Sequence, residues 1–153
     1  MSELMRSWDR MSSYPMGRFL FNRLIAWRIP YTGSIRPKVL QLSPGSAKVF
    51  FKDRRAVRNH LSSIHAIALM NIAEFSTGLA LISQQPKNVR TILVGLSIEY
   101  LKKGRGTMTA TCCDEGGVLS GEKEERRLIS EVRDSNGDLV AKAEARWLLG
   151  HTK

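Results

Sequence analysis

The sequence predicts an α+β domain in which one long apolar helix is wrapped by a curved antiparallel sheet of five or six strands. Three observations carry that prediction. Residues 59–83, NHLSSIHAIALMNIAEFSTGLALIS, are apolar almost all round from Ile64 onward, and a helix hydrophobic on every face must be buried on every face. The flanking sequence is broken into short alternating apolar and polar runs separated by turn residues, which reads as antiparallel strands. A chain of 153 residues is long enough for one such core. With no run of 18 or more residues free of polar groups, the helix belongs inside that core rather than in a bilayer.

Taken in order, residues 1–30 read as a helical extension and residues 31–153 as the folded domain. Two short helices are expected, split near Pro15. From Met16 on, Phe19, Leu20, Arg23, Leu24 and Trp27 recur at helical spacing, giving a stripe expected to pack on the domain or on a partner subunit. Membrane-surface contact through residues 16–28 is the alternative, since the segment is basic and aromatic. Glu3 and Asp9 argue against a transit peptide, and Arg18 and Arg23 interrupt any secretory core.

Pro30 and the YTGS turn end this section. Residues 35–42 (IRPKVLQL) and 47–53 (AKVFFKD) read as a hairpin around the Ser-Pro-Gly-Ser turn. Ser62 and Ser63 stand where a helix N-cap is wanted, and at about 1.5 Å per residue the helix from Ile64 to Ser83 spans roughly 30 Å. Pro86 closes it. Strands follow at 91–101 (TILVGLSIEYL), 107–113 (TMTATCC), 128–133 (LISEVR) and 139–147 (LVAKAEARW), with Asp134–Gly137 as a hairpin turn. Residues 122–127 (EKEERR) read as a solvated mixed-charge segment.

Cys112 and Cys113 are adjacent, offer no metal-ligand spacing, and fit a reducing, cytoplasmic setting with one thiol facing the core. No metal is expected. The net charge of +10 attracts polyanions, but no zinc-finger, RNP-like or helix-turn-helix pattern accompanies it. Nucleic acid is therefore the third reading, carried by charge alone.

The chemistry concentrates on the buried helix. Glu74 is a carboxylate where ionisation is costly unless the group is paired or used. On a helical wheel Ile67, Asn71, Glu74 and Gly78 share one face, while His65 lies opposite Glu74 and nearly three turns away. If His65 and Glu74 serve one site, they do so across a subunit interface.

Asn59, six residues on His65, and nine residues further Glu74 within the central helix resemble the pattern of the hotdog-fold acyl-CoA thioesterases. The likeness is to the phenylacetic-acid-degradation type and to an uncharacterised branch related to it. Gly78 and the LSIEYLKKGRG segment at 96–106 are similar to the family as well, and the resemblance covers roughly residues 35–148. Where the family has a Gly-Gly pair after the His, this chain has Ala66-Ile67. The resemblance implies a hotdog fold, acting as a homodimer or dimer of dimers, that hydrolyses an acyl-CoA thioester to free acid and coenzyme A. It makes Glu74 general base or nucleophile, Asn59 the holder of water or carbonyl, and His65 a further catalytic residue, with a capping or turn role at the helix start as the alternative for Asn59 and His65. The Ala66 N–H beside His65 becomes the oxyanion donor, and Asn71 and Gly78 line the substrate side. Lys102, Lys103 and Arg105 are candidates for the phosphates of coenzyme A, which enters as part of the substrate rather than as a resident cofactor. A non-catalytic acyl-CoA or lipid-binding domain is the alternative, favoured by the missing Gly-Gly pair. His60 and His151 are assigned no role.

Overall fold

A helix apolar on every face needs cover on every face, and the chain supplies it with one sheet and its N-terminal helices. The computed structural model describes residues 2–152. In chain order, α1 (Glu3–Ser12), α2 (Gly17–Arg28) and the single turn α3 (Pro30–Gly33) precede β1 (Lys38–Ser43) and β2 (Ser46–Phe51). A 3₁₀ turn at Arg55–Val57 leads to α4 (Ala66–Gln84), followed by β3 (Val89–Tyr100), β4 (Met108–Cys113), β5 (Lys123–Arg133) and β6 (Leu139–His151). The six strands form one sheet in the order β1-β2-β4-β5-β6-β3, every neighbour antiparallel. The architecture is the expected one, with six strands and the helix inserted after the second.

Ile72, Phe75, Leu79 and Leu81 of α4 are buried against Val49, Phe51, Met108, Val132 and Leu149 of the sheet. Each such side chain contributes on the order of 1.5–3 kcal/mol, so α4 anchors the fold. Met5, Trp8 and Phe21 from α1 and α2 join the same core, with Trp8 and Phe21 in edge-to-face contact at 5.0 Å. In β4 the alternation buries Cys112 and exposes Cys113. Burial, with smaller contributions from Cys113 and Asp114, pushes the Cys112 thiol up to about 12, so it is a packing residue rather than a nucleophile.

Four local expectations are corrected. The N-cap of α4 is His65, not Ser62 or Ser63, because residues before it close a separate loop through an Arg58–Ile64 bridge and an Asn59 N–H to Ser63 carbonyl bond of 2.8 Å. The sheet strands are offset by a few residues, β6 reaching His151 and β3 starting at Val89. The α2 stripe does not pack on the domain: Gly17 and Phe21 turn inward, and Phe19, Leu20, Leu24 and Trp27 face solvent. Amphipathic spacing finds a stripe but does not say which side of the helix the core takes.

The fourth correction concerns 122–127. Most of that segment is the start of β5, and Arg126 is buried, 6% exposed. Its guanidinium donates to Asp114 Oδ2 at 2.9 Å, to the Gly117 carbonyl at 2.8 Å, and to both Glu124 carboxylate oxygens. Asp114 also accepts from Gln84 Nε2 at 2.5 Å, tying the helix end to the sheet. The guanidinium sits where a side chain on Gly116 would have to be, its carbon 2.7 Å from an added Cβ. Removing Asp114 leaves the guanidinium with Glu124 as its one carboxylate and takes from Gln84 its Oδ2 acceptor, a loss of about 3 kcal/mol. Asp114→Ala is therefore expected to lower the melting temperature by ~10 °C, and an unchanged thermal melt would refute the role given to this pair.

Candidate active site

The start of α4 is fixed by main-chain bonds. The Ile64 N–H donates to the Gly104 carbonyl and the His65 N–H to the Val57 carbonyl, both at 2.8 Å. Gly104 is closely packed here, since a Cβ would stand 3.3 Å from both Ile64 Cβ and Met108 Sδ. His65 is extended, and its Nδ1 accepts from the Ile67 N–H at 3.1 Å. That capping bond occupies Nδ1. The Ala66 N–H, by contrast, donates to nothing among the described residues, while the Ala66 carbonyl accepts from the Tyr100 hydroxyl at 3.0 Å. An unsatisfied N–H at the positive end of a nineteen-residue helix is a donor set for developing negative charge.

This helix end opens into a cleft of about 340 Å³, whose walls include Asn59, Leu61, Ala66, Tyr100, Lys102 and Lys103. Asn59 Oδ1 accepts from the Leu61 N–H (2.9 Å), the Ser63 N–H (3.2 Å) and the Ser63 hydroxyl (3.1 Å). Its carbonyl oxygen therefore shapes the loop, and its amide Nδ2 is the end left to act. Lys102 departs from expectation: it is held by Asp134 at 2.8 Å and by Asp138. Two carboxylates neutralise it, so it is a poor phosphate ligand. Lys103 and Arg105 are exposed and have no carboxylate partner among the described residues.

Glu74 lies in a second cleft, about 280 Å³, walled by Tyr31, Thr32, Ile67, Met70, Asn71 and Leu96. The helical face that joins Ile67, Asn71 and Glu74 in sequence does so in space. No cation pairs with Glu74 among the described residues, and its carboxylate receives no hydrogen bond there. Burial alone raises its pKa. Asn71 shares the cleft wall, its Nδ2 donating a long 3.5 Å bond to the Tyr31 carbonyl. A carboxylate without a structural partner, in a mostly apolar cleft, holds a proton more readily than a free one and is suited to act as a base.

Gly78 does not line this cleft. An added Cβ would stand 3.3 Å from the Trp147 ring, whose Nε1 donates to Thr77 Oγ1 at 3.1 Å. The glycine admits a core tryptophan, not a substrate. Tyr31 belongs to the Glu74 cleft and was not singled out by sequence, while Leu96 and Tyr100 lie in the 96–106 segment that carries part of the resemblance but were given no role there.

Ala66 and Glu74 are eight residues apart on one helix, about 12 Å along its axis. A reacting carbonyl must lie roughly 3 Å from its oxyanion donor and within reach of its base. One chain does not bring these two groups onto one carbonyl. Along β3, which carries Leu96 and Tyr100 and forms a sheet edge, no residue is buried, although it presents Ile92, Leu93, Val94, Leu96 and Ile98.

A helix-wrapped six-stranded sheet with these two clefts defines an α+β protein of the hotdog fold, and solved structures agree. The chain is similar to the genomics target APC5556 (TM-score 0.82, 28% identity, covering 97% of this chain and 98% of that one). It also resembles a thioesterase family protein from Silicibacter pomeroyi (TM-score 0.73, 14% identity, 86% and 96%). A mutant of the phenylacetic acid degradation protein PaaI from Thermus thermophilus aligns at TM-score 0.66 with 22% identity, over 78% and 97%. Among curated proteins none matches. Residues 17–149 match a family model, and the chain belongs to that family, the domain of unknown function DUF4442.

Proposed function

We propose that the protein hydrolyses an acyl-CoA thioester to a free acid and coenzyme A, at sites shared between two copies of the chain. The observation that carries this reading is the half-buried, unpartnered Glu74 in one cleft, with a free N–H at the start of the same helix in the other. Glu74 takes a proton from water as the oxygen adds to the thioester carbonyl, or attacks that carbon itself and is released by water. The Ala66 N–H of the other copy holds the oxyanion, with Asn59 Nδ2 orienting the carbonyl or the water. Collapse of the tetrahedral intermediate breaks the C–S bond, and the departing thiolate takes up the proton. Lys103 and Arg105 attract the phosphates of the coenzyme. The thioesterase names of several structural neighbours support this class of reaction through the fold.

The second reading, a non-catalytic acyl-CoA or lipid-binding domain, is favoured by Ile67, which stands in the Glu74 cleft where the resembling family has glycine. Release of free thiol from a panel of acyl-CoAs separates the two: turnover supports hydrolysis, and tight binding without turnover supports the second. The cytoplasm, where acyl-CoAs are made and used, is the compartment this function fits.

The edge strand β3 supports the proposed homodimer. An edge strand with a free hydrogen-bonding rim and exposed Ile92 and Val94 is a template for pairing with another strand, and a second β3 related by a two-fold axis fits it. Charging that rim with Ile92→Lys and Val94→Lys is expected to convert a dimer to a monomer in sedimentation velocity and to abolish turnover with it. A double variant that stays dimeric would place the interface elsewhere.

A further inference from the structure

The outward face of α2 has no task in the site just described. Phe19, Leu20, Leu24 and Trp27 are all exposed on it, Trp27 by 76%. Arg23 stands among them, Arg18 and Arg28 flank them, and α2 contains no acidic residue. An apolar helical face studded with arginine and closed by a tryptophan has the composition of a helix lying in the headgroup region of a bilayer.

The neighbouring surface extends this pattern. Asn22 Oδ1 accepts from the Val39 N–H at 2.8 Å, fixing α2 against β1. Beside Val39, a pocket of about 210 Å³ is lined by Arg36, Lys38, Lys52 and Arg54. Among the described residues none of these four is ion-paired with a carboxylate; Arg54 is half-buried and the other three are exposed. Arg54 spends part of its guanidinium on the Ser34 carbonyl. The acids on the N-terminal helices are Glu3, paired with Lys87 at 3.0 Å, and Asp9, and Asp53, between Lys52 and Arg54 in sequence, is paired with Arg58 at 2.6 Å.

We propose that α2 and the Arg36–Arg54 pocket together form a docking face for a bilayer rich in anionic lipid. The aromatic and aliphatic side chains of α2 enter the headgroup region, and the pocket takes a lipid phosphate. Charge complementarity selects this occupant: four cations gathered without counter-ions around a small pocket repel one another until an anionic surface covers them. A second copy of the chain carries the same positive charges and would meet like with like. The inference stands independently of the thioesterase reading.

Trp27 supplies the readout. Trp8 and Trp147 are buried at 5% and 6% exposure, so Trp27 is the indole that solvent and lipid reach. The full chain is mixed with vesicles of phosphatidylcholine alone, and with vesicles containing about one third phosphatidylglycerol. The expected result is sedimentation with the anionic vesicles only, a blue shift of Trp emission, and quenching by brominated lipid chains. Arg23→Gln and Arg28→Gln are each expected to weaken binding about fivefold, and Trp27→Ala about tenfold or more, with circular dichroism unchanged. The proposal is overturned if the chain ignores anionic vesicles, or if bound protein keeps Trp27 open to aqueous acrylamide and untouched by brominated lipid. It is equally overturned if Trp27→Ala or Phe19→Ser lowers the oligomeric mass in solution, because the face would then belong to another copy of the chain.

Discussion

Glu74→Gln is expected to lose acyl-CoA hydrolysis by about 10²–10⁴-fold, the usual weight of a general base, while melting at a higher temperature than the wild type at neutral pH. Both effects have one cause. Burial raises the Glu74 pKa above its ordinary 4.5, so the folded state binds that proton more tightly than the unfolded chain does. The carboxyl is then neutral in both states below pH 4.5 and costs nothing there. From pH 4.5 up to the folded-state pKa the unfolded chain gives up this proton while the folded state keeps it, so folded stability falls across that window and levels off above it. The amide avoids that cost, so its stability advantage appears above the window and vanishes below it. Wild-type turnover runs the opposite way, rising with pH as the carboxylate forms. A Gln variant that hydrolyses normally would remove Glu74 from the mechanism. One that is inactive but no more stable at neutral pH would instead mean that the carboxylate has a stabilising partner in the dimer.

Ala66→Pro is the second large effect, and it isolates a single hydrogen. Ala66 is the first residue of α4, a position where proline is well tolerated because its missing N–H has no helical partner to lose. Proline also asks its predecessor to be extended, and His65 already is, at φ −63° and ψ 138°. The substitution should therefore fold normally and delete only the proposed oxyanion donor. Loss of one such donor costs about 10²–10³ in kcat, with the thermal melt unchanged. If turnover survives, the oxyanion is held by other donors. If the melt falls sharply, the N–H has a structural role.

Much of this was legible in the sequence because its physics is local. An all-round apolar helix demanded full cover, and alternating runs with turn residues between them specified the strands that provide it. The face joining Ile67, Asn71 and Glu74 followed from helical period alone. What the sequence could not rank was competition for partners across the fold. Lys102 reads as a free cation until the β5–β6 turn brings Asp134 and Asp138 to it. Gly78 reads as access to the cleft until Trp147, almost seventy residues later, fills the space. Arg126 sits in a run of charges and looks solvated, yet Asp114 and Gln84 make a buried seat for it. His65 could be a catalytic group or a cap by spacing, and its Nδ1 is found capping. The outward turn of α2 was equally invisible, since helical period marks a stripe without saying whether the fold keeps it inside.

The central claim is that Glu74 of one subunit and the α4 start of the other make one hydrolytic site, and complementation tests it most directly. Glu74→Gln and Ala66→Pro dimers, each nearly inactive, are dissociated, mixed and reassociated, and thiol release from an acyl-CoA is measured. About half of the reassorted dimers then pair one variant with the other, and each of these carries one intact site. The account predicts recovery of about a quarter of wild-type activity. A mixture no more active than its parents, with mixed dimers shown to be present, would contradict it.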